Sequence, residues 1–88
     1  MFRLWGKIFK ENRLIKDFVV EDNSDDTRTH KIFHAIDELC VKFDISHPIW
    51  LESNIKDFKR HDKVRLTADN FIDSYAFDYL EIQIIEED

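Results

Sequence analysis

The chain has 88 residues and a formal net charge of −6, and 43% of its residues are hydrophobic. This length fits one domain spanning residues 1–88, and the apolar content is too high for a disordered chain. A single cysteine excludes an intrachain disulfide. The sequence has no apolar run long enough to cross a bilayer and no secretory leader, so we expect a cytoplasmic protein without a membrane span.

Residues 1–20 contain two runs of alternating apolar side chains, which predict a β-hairpin with its turn near Glu11 and Asn12. The first strand then places Phe2, Leu4, Gly6 and Ile8 on one face, and Arg3, Trp5, Lys7 and Phe9 on the other. The second strand places Leu14, Phe18 and Val20 on one face, and Ile15 and Val19 on the other. The alternative is a basic amphipathic helix over residues 1–10 that lies on a membrane, but Gly6 and the short length argue against it.

The next predicted element is a helix over residues 26–43. Residues 24–27 offer several N-cap side chains, and their acids suit the positive end of a helix dipole. Apolar residues then recur at spacings of three and four, over about 120° of the helical wheel. They are Ile32, Phe33, Ile36, Leu39, Cys40 and Phe43. We expect this stripe to face the core and the helix to end before Pro48.

Residues 48–51 predict a short edge strand, where a proline is tolerated. The segment 52–74 is the least regular part of the sequence. Within it, Asn54 is a predicted cap for one or two helical turns that carry Ile55 and Phe58.

The C-terminal third predicts three further elements: a brief strand over residues 64–67, a helical turn within residues 69–74 and a long strand over residues 77–86. The last of these alternates clearly, with Leu80, Ile82 and Ile84 on one face. We expect it to be central in the sheet and to contribute some of the most buried residues.

These elements predict an α+β fold of ββαβ(β) order, with one main helix packed on a mixed sheet. The element order and length resemble the β-grasp arrangement of ubiquitin-like and related folds, in which the last strand pairs with the first. The resemblance covers the element order only, and it implies no activity because the fold carries many unrelated functions. Since one helix covers one sheet face, the residues of the other face, such as Trp5 and Val19, need cover from segment 52–74 or from a second chain.

His30 and His34 are the candidate metal ligands, because a spacing of four brings two imidazoles to one face of a helix. Zinc or nickel would need a further ligand, such as Asp37 or a loop residue. Two histidines on an exposed helix face are, however, more often solvated side chains than a metal site. Cys40 lies on the apolar stripe, where a thiol behaves as a small hydrophobic group.

The sequence contains no catalytic or cofactor motif. A single glycine excludes glycine-rich phosphate loops, and no serine- or cysteine-centred arrangement suggests nucleophilic catalysis. We therefore predict no cofactor, no catalytic residues and no enzymatic activity beyond a minor metal-dependent alternative built on the histidine pair.

Single-stranded nucleic-acid binding is the main alternative function. Arg3 and Lys7 alternate with Trp5 and Phe9 on one predicted strand face, an arrangement that stacks and cradles bases. Three further basic residues would extend this surface: Lys56, Lys59 and Arg60. The net charge of −6 argues against a nucleic-acid partner.

The leading hypothesis is a small non-enzymatic binding or regulatory module that acts through protein–protein contacts, with a homodimer as one form. Trp5 and Phe9 on the hairpin, and Ile49 and Trp50 on the predicted edge strand, are its candidate partner-binding residues. The hypothesis rests on the absence of catalytic motifs together with a large number of aromatic side chains for a domain of this size.

Overall fold

The computed structural model describes residues 1–87 and has the predicted α+β fold. Its elements are β1 (Phe2–Lys10), β2 (Arg13–Asp22), α1 (Arg28–Phe43), α2 (Glu52–His61), β3 (Lys63–Thr67), a short 3-10 turn (Ala68–Asn70) and β4 (Tyr79–Glu86). The four strands form one sheet in the order β2-β1-β4-β3. Both helices contribute to a single core on one face of this sheet.

The hairpin at the N-terminus is confirmed. Lys10 pairs with Arg13, so the connection is a two-residue turn at Glu11 and Asn12, whose φ angles are 52° and 65°. Positive φ at both positions suits the right-handed twist of the flanking strands. The Asp78 carboxylate accepts a hydrogen bond of 2.7 Å from the Glu11 amide and holds this turn in place. The amphipathic-helix alternative for residues 1–10 is therefore wrong.

A β-bulge changes the predicted facing of one residue in β2. Ile8 pairs with Lys16, but Phe9 pairs with Leu14, so Ile15 is an extra residue in the ladder. Because directly paired residues share a face, Leu14 lies on the face of Phe9 and not on that of the buried Val20. Simple alternation had predicted the opposite.

Helix α1 begins two residues later than predicted and carries the expected core stripe. Thr27 is its N-cap and accepts a hydrogen bond from the His30 amide, and the helix ends at Asp44, whose φ is 56°. Its buried apolar residues are Ala35, Ile36, Leu39, Cys40 and Phe43. Phe33, at one end of the predicted stripe, is instead 56% exposed.

Residues 48–51 do not form the predicted edge strand. They are an irregular segment that ends at Leu51, the N-cap of α2, and they make a reciprocal contact with Asn70 instead of joining the sheet. The one or two helical turns expected after Asn54 are in fact a ten-residue helix. Asn54 does cap this helix, from its third position, by accepting a hydrogen bond of 3.0 Å from the Leu51 amide.

The sheet is antiparallel throughout, so the prediction of a mixed sheet is wrong. The second helix accounts for the difference, because it adds one more connecting element between β2 and β3. Strand β3 therefore runs opposite to β2, and β4, which is antiparallel to β3, is then also antiparallel to β1. The predicted pairing of the last strand with the first is confirmed. Strand β4 is also central, and its Leu80 and Ile82 are fully buried.

Segment 52–74 covers the same sheet face as α1, not the opposite one. Phe58, Leu66 and Phe71 all join the single core. The other face of the sheet, called the open face below, has no helix packed on it among residues 1–87. In that part of the chain no helix is long and apolar enough to cross a membrane.

Candidate functional site

An apolar groove lies between α1 and α2 and is called the helical groove below. Its volume is ≈ 280 Å³. Its apolar lining residues are Ile32, Phe33, Ile36, Trp50, Ile55 and Phe58. A groove lined mainly by apolar and aromatic side chains with a few polar groups is typical of a binding site.

Trp50 packs into this groove from the segment before α2. Its ring lies 5.6 Å from the ring of Phe58, at an interplanar angle of 58°, and the residue is half-buried. Tilted aromatic pairs of this kind are stabilising beyond the area they bury. Trp50, a candidate partner-binding residue, is thus placed in the lining of the groove, and the adjacent Ile49 is 49% exposed.

Two buried asparagines position the segment that carries Trp50. Asn54 Oδ1 accepts hydrogen bonds from the Leu51 amide and, at 2.7 Å, from Asn70 Nδ2. Asn70 Nδ2 also donates to the Ile49 carbonyl at 2.8 Å, and Asn70 Oδ1 accepts from the Thr67 amide. Together the two side chains bond the backbone on both sides of Trp50, Asn70 at Ile49 and Asn54 at Leu51, so the tryptophan is held in one position.

The rim of the helical groove is apolar and includes two basic residues. Phe33 and Ile55 remain 56% and 43% exposed, which is unusual for large apolar side chains that face each other across a groove. The charged lining residues are Arg28 and Lys59, and the Arg28 guanidinium is already paired with two carboxylates of the same chain, each 2.9 Å away. Lys59 is therefore the main positive charge that the rim offers to a partner.

The open face of the sheet carries an internally paired set of charges. Lys7 and Glu81 are directly opposite each other on β1 and β4, with Nζ and Oε2 2.8 Å apart, and both are buried although no helix covers them. Arg65 Nε donates to the same carboxylate at 3.2 Å. Burial alone would raise the pKa of Glu81, but the hydrogen bonds from Lys7 and Arg65 outweigh it and the pKa is lowered.

Trp5 and Phe9 lie on this open face, as predicted. Trp5 Nε1 donates a hydrogen bond of 2.9 Å to Asp17, and Lys7 Nζ lies 3.9 Å from the centre of the Trp5 ring. Phe9 stacks on Tyr79 with their ring centroids 5.0 Å apart. Both aromatic side chains therefore already have partners within the chain, and both are half-buried.

The structure separates the basic residues proposed for nucleic-acid binding into two groups. Arg3 and Lys7 lie on the open face, whereas Lys56, Lys59 and Arg60 belong to α2, in the layer on the other side of the sheet. Arg3 Nε is within 3.1 Å of Glu21 and 3.3 Å of Glu86. A phosphate at the open face would have to displace carboxylates from Arg3 and Lys7.

His30 and His34 lie on the exposed face of α1, with ring centroids 6.5 Å apart. His30 Nδ1 is 2.8 Å from Asp26, and His34 Nδ1 is 4.0 Å from the same carboxylate. Within residues 1–87, no group of three or more histidine, cysteine or acidic side chains is arranged to hold a metal ion. Asp37, the suggested third ligand, instead contacts His47 at 2.8 Å. The metal site stays a prediction to which the structure adds no ligand set.

Cys40 is buried, as its position on the apolar stripe indicates. Burial, with a smaller effect from the charge of Asp37, raises the pKa of its thiol to about 11. A nucleophilic cysteine needs the thiolate, so this environment opposes reactivity.

Comparisons of this chain with protein-family models, with curated proteins and with solved structures found no match. The candidate site consequently rests on geometry alone. The sequence prediction identified Trp50 but missed Phe33 and Ile55 as site residues. One signal in the sequence could have identified Phe33: it lies at the edge of the apolar stripe of α1. A side chain at the edge of such a stripe is covered only if a second element packs beside the helix.

Proposed function

We propose that this protein is a non-enzymatic binding module of the cytoplasm that acts through protein–protein contact, with the helical groove as its docking surface. The observation that carries the proposal is the pair of exposed apolar side chains, Phe33 and Ile55, over a floor formed by Trp50 and Phe58. A single reduced, buried cysteine is compatible with a reducing compartment.

The groove suits an amphipathic helix. The apolar walls that α1 and α2 provide can accept a third helix whose apolar residues recur at i, i+3 or i+4, and i+7. The charge of Lys59 favours an acidic residue flanking that apolar stripe, whereas Arg28 is already paired with Asp62 and Glu87. The partner is therefore an acidic amphipathic helix of another protein.

A synthetic helical peptide tests this proposal. The probe has leucine or phenylalanine at i, i+4 and i+7 and glutamate at the flanking positions, and a second peptide has lysine in place of glutamate. Binding is followed by Trp50 emission in a Trp5→Phe background, where Trp50 is the only tryptophan left. We expect the glutamate peptide to bind about tenfold more tightly than the lysine peptide at low salt.

Matched protein variants locate the binding surface. Phe33→Ser and Ile55→Ser remove apolar contact and should each weaken binding about tenfold. Ile72→Ser is the control, because Ile72 is 83% exposed and does not line the groove. Equal affinities for both peptides, or binding that Phe33→Ser leaves unchanged, would contradict the proposal.

A homodimer through the open face is a second candidate, favoured by the pairing of charges on that face. Arg3, Lys7 and Arg65 are each joined to a carboxylate of the same chain. A second copy can approach such a balanced face without net repulsion. Val19, 36% exposed and paired with Trp5, provides apolar contact there.

Sedimentation equilibrium at tens of micromolar tests the homodimer. The homodimer is supported if the wild-type mass exceeds that of the monomer and the Val19→Lys variant has the monomer mass. A lysine at position 19 would place like charges against each other across the two-fold axis. A monomer mass for the wild-type protein would exclude the homodimer and leave the docking of a foreign helix untouched.

A further inference from the structure

Strand β2 forms one edge of the sheet and is ten residues long. Within residues 1–87, its backbone pairs with β1 on one side, and no loop, turn or helix contributes a backbone hydrogen bond to its other side. An unpaired edge of this length is a template for another extended segment. The bulge at Leu14 and Ile15 limits the regular part of this edge to residues 16–22.

Helix α1 runs beside this edge and forms a second groove with it, called the edge groove below. One part lies between Phe18 and Val41 and has a volume of ≈ 370 Å³. The adjoining part, of ≈ 450 Å³, lies beside Val20 and His34, and Glu38 lines both. A strand added to β2 would direct alternate side chains into this groove, because successive side chains of a strand point to opposite faces.

The apolar end of the edge groove has an uncovered surface. Val41 is 82% exposed, and the Phe18 ring beside it is half-buried, with Lys42 Nζ 5.0 Å from its centre. An apolar side chain placed opposite Phe18 would cover both residues.

The rest of the edge groove is acidic. The residues that line its two parts include five acids, Glu21, Asp22, Asp26, Asp37 and Glu38, and one lysine, Lys42. Four of these acids already have a partner in the chain: Arg3 of the open face for Glu21, the Ser24 amide for Asp22, His30 for Asp26 and His47 for Asp37. Glu38 lines both parts and so lies at the centre of the edge groove. If one side chain of an added strand lies opposite Phe18, the side chain two positions further along the same face is the one that can reach Glu38.

We propose that the edge groove binds an extended basic segment of another protein by strand addition to residues 16–22 of β2. The segment has an apolar residue opposite Phe18 and lysine or arginine at the next two positions on the same face. Main-chain hydrogen bonds to β2 provide affinity, while the Phe18–Val41 surface and Glu38 select the side chains. This surface is separate from the helical groove, so the proposal does not depend on the docking of a helix there.

The probes are the heptapeptides Thr-Val-Thr-Lys-Thr-Lys-Thr and its reverse sequence, which cover both strand directions, and matched peptides with glutamate for lysine. Titration is followed by NMR and by hydrogen exchange of the amides of residues 16–22. We expect protection of alternate amides in this range and binding of a lysine peptide about tenfold tighter than that of its glutamate counterpart. Two further peptides are N-methylated at alternate residues, one at the even and one at the odd positions. One of them should not bind and the other should bind as the parent does, because only one set of N–H groups points at β2.

Two protein variants complete the test. Glu38→Lys should weaken the lysine peptide about tenfold and strengthen the glutamate peptide. Phe33→Ser, in the helical groove, should leave both affinities unchanged. The proposal is overturned if no peptide protects residues 16–22 at millimolar concentration, or if both N-methylated registers bind as well as the parent. Protection of the same amides in the free protein that disappears on dilution would also overturn it, because the occupant would then be a second copy of the chain.

Discussion

The side chain of Leu39 fills the space that a β-carbon at Gly6 would need. A β-carbon built on Gly6 would lie 2.6 and 2.7 Å from the two δ-carbons of Leu39, and Leu39 is fully buried. Helix α1 therefore comes close to β1 at the one glycine of the chain. A strand interior otherwise disfavours glycine, so this close approach is the physical reason for its presence.

Gly6→Ala should destabilise the protein by about 1–3 kcal/mol, because the fully buried side chain of Leu39 would have to shift to make room for the new methyl group. Chemical denaturation followed by circular dichroism measures the change. In a double-mutant cycle, the combined Gly6→Ala and Leu39→Ala variant should lose less than the sum of the two single changes. Strict additivity would show that the two side chains do not compete for the same space.

Loss of the Glu81 carboxylate should destabilise the open face. Glu81→Gln leaves the buried Lys7 ammonium without its charged partner and should cost about 1–3 kcal/mol at neutral pH. Glu52→Gln is the matched control, because the ion pair of Glu52 with Lys56 is highly exposed. Urea unfolding of both variants at pH 7 provides the comparison, and equal stabilities would contradict the assigned role of Glu81.

The same pair predicts an acid dependence. The pKa of Glu81 is lowered in the folded protein from its ordinary value of 4.5, so its contribution to the free energy of unfolding is complete above that pH. The contribution is lost as the pH falls below 4.5 and through the lowered value. The stability difference between wild type and Glu81→Gln should therefore narrow in acid, and a difference that widens there would have the wrong sign.

Much of the sheet could be predicted because strand alternation is a local property. The two faces of β1, the central position of β4 and the core stripe of α1 all follow from side-chain spacing. The facing of Leu14 could not be predicted, since the bulge that moves it depends on pairing with β1. The length of α2 was underestimated, as one or two turns instead of ten residues, because only Asn54 and Phe58 are buried on it, too few to produce a visible period.

The candidate site was less predictable than the fold, because distant segments build it. Phe33 and Ile55 become neighbours only when α2 packs beside α1. Trp50 was recognised as a candidate from its residue type, but its surroundings were not, since the expected edge strand does not exist. What holds Trp50 in place is a contact between two asparagines sixteen positions apart, which no local pattern reveals.

Cys40 should resist thiol reagents in the folded protein. Its thiol is buried and its pKa is raised to about 11, so little thiolate is present and none of it is accessible at pH 8. Iodoacetamide labelling followed by mass spectrometry should give no modification under native conditions and complete modification in urea. Rapid labelling without denaturant would contradict both the burial and the raised pKa, and would reopen a reactive role for this residue.

The Asn54–Asn70 contact should control both stability and the order of Trp50. Asn54→Ala removes the acceptor of the Leu51 amide and of Asn70 Nδ2, and leaving these buried donors unpaired should cost about 1–3 kcal/mol. In a Trp5→Phe background, Trp50 emission should shift to longer wavelength and its anisotropy should fall, since the segment is no longer held against Phe58.

Lys56→Ala is the matched control for this variant, because Lys56 lies on the same helix with a side chain that is 74% exposed. It should change neither the unfolding free energy nor the emission of Trp50. If Asn54→Ala behaves like this control, the buried amide pair does not position Trp50. A loss of stability without any change in Trp50 emission would mean that the asparagine pair acts only as the helix cap. The change in both quantities that we expect would mean that the same pair caps α2 and positions the floor of the helical groove.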